Sequence, residues 1–192
     1  MMRNSCFASH LFLWSLLLIL SYSCATTEAV VPRKAETPSV DSAQVDRLST
    51  DLALLLGYGD EETLRLSRTA LKTTDELART YHVQPPPLWH NFLVNVGIRD
   101  RGLCCHWTQD LLRAIEALNL EKFHAVWGVS RHGSWLEHNS VIITVAGQAV
   151  ETGIVLDPWR NAGDLYWGPV ATDTYTWQHH PGDNGVARIR CR

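Results

Sequence analysis

The sequence is poor in charge, poor in cysteine and without a long apolar run. Charged residues make up 19% of its 192 positions, with 17 Lys and Arg scattered among 20 Asp and Glu for a formal net charge of -3. A chain with no basic patch is not built for nucleic acid as its main partner. The five cysteines form no C-x-x-C pair and the histidines no H-E-x-x-H, so no metal centre is expected and nothing calls for a cofactor. The longest apolar run, residues 11–20 (LFLWSLLLIL), is too short for a comfortable membrane span. Hydrophobic residues nevertheless reach 45%, the share of a globular chain, and the length suits one domain plus a leader rather than two full domains.

Arg3, the run 11–20 and the small residues Ser21 and Ser23 ahead of Cys24 have the layout of a signal peptide over residues 1–24. Ser23-Cys24-Ala25 resembles the cleavage site of a bacterial lipoprotein, which implies Cys24 as the lipidated first residue and an anchor in the membrane. A secreted soluble form and an uncleaved signal anchor fit the same layout. Each route exports the domain, to the cell envelope or periplasm or beyond. Residues 25–41 mix Thr, Pro, Ala and charge without a hydrophobic period and read as a tether. The domain then covers residues 42–192.

Helical periods come first. Val45, Leu48, Leu52 and Leu55 predict a helix over residues 42–56, stopped by Gly57 and Gly59. Asp60 caps a second helix reaching about Tyr81, and Pro85-Pro86-Pro87 forbids its continuation. Residues 88–96 predict a short third helix with Trp89, Phe92, Leu93 and Val96 facing inward. A fourth begins near Cys104 and buries Trp107, Leu111, Leu112, Ile115 and Leu118. After Asn119 the period drops to two, predicting strands over residues 123–129, 140–145 and 153–157, with weaker ones at 165–167 and 186–189. Helices followed by an antiparallel meander make an α+β domain, N-terminal helices packed on an antiparallel sheet.

The candidate chemistry begins with Cys104. At a helix N-terminus its thiolate would be stabilised by the positive end of the helix dipole. A nucleophile needs a base, and the base an orienting partner. His138 precedes the second strand and Asp157 ends the third, so a hairpin turning at Gly147 brings both to one end of the sheet. Rivals remain: Cys105 for the nucleophile, His106 and His132 for the base. A disulfide between Cys105 and Cys191 is compatible with an exported domain. Asn91, Asn95 and Gln109 are candidate oxyanion donors beside the Cys104 backbone N–H. Arg99 and Arg101 could bind a substrate carboxylate or form a solvated charged loop, and His179, His180 and Asp183 read as a polar tail rather than a metal site.

Gly102-x-Cys104, the aromatic Trp107, His138 at a strand start and Val155-Leu156-Asp157-Pro158 follow one another in an order that resembles the transglutaminase-like branch of the papain-like cysteine enzymes. The resemblance covers about residues 88–168. It implies a papain-like core in which the nucleophile's helix packs on the sheet carrying the other two residues, with Cys104 as nucleophile, His138 as general base and Asp157 fixing the imidazole tautomer. The expected function is an exported thiol-dependent hydrolase or acyltransferase acting on amide or ester bonds of a peptide, protein or peptidoglycan-derived substrate. The alternative is a non-catalytic envelope lipoprotein using the fold as a binding or assembly module.

Overall fold

The computed structural model describes residues 41–57, 59–183 and 191. The signal peptide, Cys24, nearly all of the tether and the weak strand at 186–189 lie outside the described residues. Asp41, assigned to the tether, belongs instead to the start of α1 (Ser42–Leu56), where its carboxylate accepts the Ala43 N–H. Gly57 ends α1 at φ +83°, a conformation that costs glycine little. α2 (Glu61–Thr80) starts at Asp60, whose side chain accepts the N–H groups of Glu62 and Thr63 and pairs with Lys122. α3 (Pro87–Asn95) and α4 (Cys104–Glu116) follow.

The inward face predicted for α3 is corrected. Leu93 is buried, but Trp89, Phe92 and Val96 are about half exposed, and the second buried position is His90. Polar bonds seat this short helix: His90 Nε2 is 3.0 Å from the Arg101 carbonyl, and Asn91 Oδ1 accepts the Trp159 indole N–H at 2.9 Å. Trp89 and Phe92 stack on each other instead of entering the core.

The strands are β1 (Phe123–Ser130), β2 (His138–Val145), β3 (Ile154–Asn161), β4 (Asp164–Pro169) and β5 (Gln178–His179). They form one antiparallel sheet in the order β4-β3-β2-β1-β5. The predicted α+β class, helices and then a meander, is what the chain adopts. β2 starts two residues before the predicted strand, with Ser130 opposite His138. β3 runs past Asp157, and Pro158 falls in the irregular stretch between the pairs Asp157↔Tyr166 and Asn161↔Asp164, where no ladder N–H is demanded of it.

Both faces of the sheet are covered, so β2 is buried almost throughout and loses the alternation of a half-exposed strand. Trp127, Val141, Ile143 and Leu156 pack under Leu48 and Leu52 of α1, Leu66 and Ala70 of α2, and Leu111, Leu112 and Ile115 of α4. On the other face Val126, Ile142 and Val155 meet Val170, Tyr175 and Trp177 from the segment after β4. Burial of these apolar side chains, each contributing about 1.5–3 kcal/mol, is the main force holding helices and sheet together. Cys105 is disulfide-bonded to Cys191, joining α4 to the far end of the chain. Among the described residues no helix is long and apolar enough to cross a membrane.

Candidate active site

Cys104 is the first residue of α4, and its approach is tightly held. The His106 Nδ1 accepts the N–H groups of Gly102 and Leu103, satisfying two amides ahead of the helix, while the Trp107 indole N–H is bonded to the Gly102 carbonyl at 3.0 Å. Burial and the nearby Arg101 charge push the His106 imidazole down to about 4, so it stays a neutral acceptor at neutral pH. His106 is thereby a cap rather than a base. With Cys105 in its disulfide, Cys104 is the free thiol among the described residues.

The structure brings Cys104, His138 and Asp157 together. His138 Nε2 lies 2.7 Å from Asp157 Oδ2, and both side chains are almost completely buried. With Nε2 engaged, Nδ1 is the ring nitrogen left for a second partner. Burial alone would push the imidazole down; hydrogen bonding and charge from Asp157 and Cys104 outweigh it and hold the group up at about 9. Trp159, Tyr175 and Trp177 wall the ring with centroids 4.6–5.3 Å away, excluding water and limiting its rotation.

Alternation along β2 puts the neighbouring residue on the opposite, helix-facing side. Asn139 Oδ1 accepts the Trp127 indole N–H at 2.7 Å, which fixes the amide so that Nδ2 faces Cys104 Sγ at 3.8 Å and Glu137 Oε1 at 3.1 Å. The carboxamide thus reaches the sulfur from the helix-facing side, while the imidazole stands on the other face of the same strand end. None of the three predicted oxyanion donors makes this contact. Asn91 is bonded through its oxygen to Trp159, Asn95 is exposed near the end of α3, and Gln109 accepts from Arg101 more than a helical turn beyond Cys104. The signal that could have found Asn139 is its setting, an amide inside a strand of otherwise apolar and β-branched residues.

Arg160 was also missed by sequence reasoning. It bonds the Asp157 carboxylate through both its backbone N–H and its Nε, and its Nη2 lies 2.9 and 3.1 Å from the two oxygens of Asp173. Arg101, in contrast to a solvated loop, pairs with Asp110 at 2.9 Å and lies over the Tyr81 ring.

His132, the other rival base, pairs with Glu137 at 3.1 Å and stacks edge-on against His180. Atoms of His132, Glu137 and His180 come within 4.8 Å of one another, a spacing a metal ion could use. Protein donors already engage two of the three: Glu137 accepts from Gly133 and Asn139, and His180 Nδ1 accepts the Gly182 N–H. The neighbouring His179 pairs with Asp183 at 2.9 Å.

The fold and site define an α+β protein in which a buried imidazole–carboxylate pair on the sheet interacts with the free thiol at the start of a helix. No protein-family model, curated protein or solved structure matches the chain.

Proposed function

We propose that the domain is a thiol-dependent hydrolase or acyltransferase acting on amide or ester bonds, with a transglutaminase-like, papain-like core. The observation that carries this reading is His138, gripped by Asp157 at 2.7 Å on one nitrogen and interacting with a free thiol at the start of α4. The Cys104 proton passes to His138, and the thiolate attacks the substrate carbonyl carbon. A C–S bond forms as the carbonyl π pair moves onto oxygen. The Cys104 backbone N–H and the Asn139 amide are the donors nearest the developing oxyanion. Collapse breaks the C–N or C–O bond, and the leaving group takes the proton from His138. Water, or a second acceptor in a transfer reaction, then gives a proton to His138 and cleaves the thioester, restoring the thiol. No resident cofactor is required by this sequence of steps.

On the same reading, residues 1–24 export the domain and Cys24 is its lipid anchor at the cell envelope, facing peptide, protein or peptidoglycan-derived substrates.

The test is alkylation by iodoacetamide at about pH 5.5, where an ordinary thiol of pKa about 8.5 is almost fully protonated. Cys104 is expected to react about 10–100-fold faster than free cysteine, and Cys104→Ala to abolish the labelling. With activated esters and peptide amides as probes, intact mass should reveal an acyl adduct on the wild-type chain and none on Cys104→Ala. A Cys104 that alkylates no faster than cysteine and forms no adduct would leave the non-catalytic binding module as the better account.

A further inference from the structure

We propose that Arg160 is a positioning residue for the reacting pair, aiming the Asp157 carboxylate at His138 and tempering its pull on the imidazole proton. This rests on the reading of Cys104 and His138 as that pair. Arg160 does not touch the sulfur; it acts through Asp157.

The geometry is specific. Asp157 Oδ2 is shared between His138 Nε2 at 2.7 Å and Arg160 Nε at 3.0 Å, while Oδ1 takes the Arg160 backbone N–H at 3.1 Å. Both oxygens are therefore fixed, and rotation of the carboxylate away from the imidazole would break bonds to Arg160. The guanidinium is itself held: Nη2 reaches both oxygens of Asp173, whose side chain is out of solvent, and Cζ lies 3.8 Å from the Tyr166 ring centroid and 4.9 Å from that of Tyr175. Tyr175 in turn touches the His138 ring. A lysine could supply the charge but not the two-sided fork.

The order of groups also matters. Asp173, Arg160, Asp157, His138 and Cys104 alternate in charge when the thiol and imidazole form an ion pair, so each buried charge lies beside opposite ones. Among the described residues, the charged or titratable groups around His138 are Cys104 from α4, Asp157 with Arg160 behind it from β3, Tyr175 with Asp173 from the segment after β4, and Arg131 after β1, whose charge acts on Tyr175. Arg160 is the cation that contacts the same carboxylate oxygen as the imidazole. It competes with His138 for that oxygen and repels the imidazolium. Its removal should leave the imidazolium harder to deprotonate and a poorer acid toward the leaving group.

The experiment is alkylation of Cys104 by the anion iodoacetate across pH, in wild type, Arg160→Gln and Arg160→Lys, alongside turnover of an ester found to acylate the protein. Iodoacetate is drawn by the imidazolium, so its rate falls when His138 loses its proton. Arg160→Gln is expected to move that alkaline limb upward by about one pH unit and lower kcat about tenfold or more. Arg160→Lys should leave the limb near its wild-type position and recover part of kcat. An unmoved limb in a folded Arg160→Gln, or full kcat in that variant, overturns the proposal. So does failure of both variants to fold, which would assign Arg160 to the fold alone. A wild type without rapid alkylation would instead remove the thiol chemistry itself.

Discussion

At the scale of single residues, Asn139 separates what a sequence can announce from what only packing decides. Cys104 and His138 were legible because each opens an element, and Asp157 because Pro158 follows it where the β3–β4 ladder becomes irregular. Asn139 and Arg160 carry no such mark. The amide direction of Asn139 is set by Trp127, twelve residues away on β1, and the role of Arg160 depends on Asp173, thirteen residues away. If the Asn139 Nδ2 is the side-chain oxyanion donor, Asn139→Ala should lower kcat by about 10²–10³ and leave Cys104 alkylation at mildly acidic pH within a fewfold of wild type. Trp127→Phe frees the amide without deleting it and should fall between the two. Equal loss of alkylation and turnover in a folded Asn139→Ala would instead make Asn139 a partner of the resting thiolate.

At the scale of elements, the start of α4 was readable from Gly-x-Cys, but the reason for its glycine was not. Gly102 has φ +126°, and a Cβ there would lie 2.1 Å from Nε2 of the buried His90 ring. The loop must pass directly under α3 before α4 can begin, and periodicity says nothing of that approach. The same blindness explains the misread face of α3. Apolar spacing pointed to Trp89, Phe92 and Val96, whereas His90 and Asn91 are what seat the helix. Gly97 provides the control, since its φ is +77° and nothing lies within 4 Å of an added Cβ. In urea unfolding, Gly97→Ala should cost about 1 kcal/mol, the backbone cost alone. Gly102→Ala adds a steric clash to backbone strain and should cost about 2–4 kcal/mol, with slower Cys104 alkylation as α4 shifts. Equal costs at the two sites would mean that the contact with His90 is not what requires glycine.

At the scale of the whole molecule, the order of helices and strands was legible from the change of period. The cover on the second sheet face was not, because Tyr175 and Trp177 come from a segment with little regular structure. That cover, together with α4, isolates two histidines whose titration acts on global stability in opposite senses. His138 is held up at about 9, above the unfolded value of about 6.5. Its contribution is fully present below about pH 6.5 and lost as pH rises to about 9, where the folded state must release a proton the unfolded chain has already lost. His106 is pushed down to about 4, so its contribution is present above about pH 6.5 and lost as pH falls toward 4. The two limits predict maximal stability near pH 6.5, with an alkaline slope of up to about 1.4 kcal/mol per pH unit from the buried His138. Urea unfolding across pH 4–9 checks this directly. His138→Gln should flatten the alkaline limb and leave the acid limb in place, and His106→Gln should do the reverse. A wild-type stability that keeps rising from pH 7 to 9 would show that folding does not hold a proton on His138 in that range.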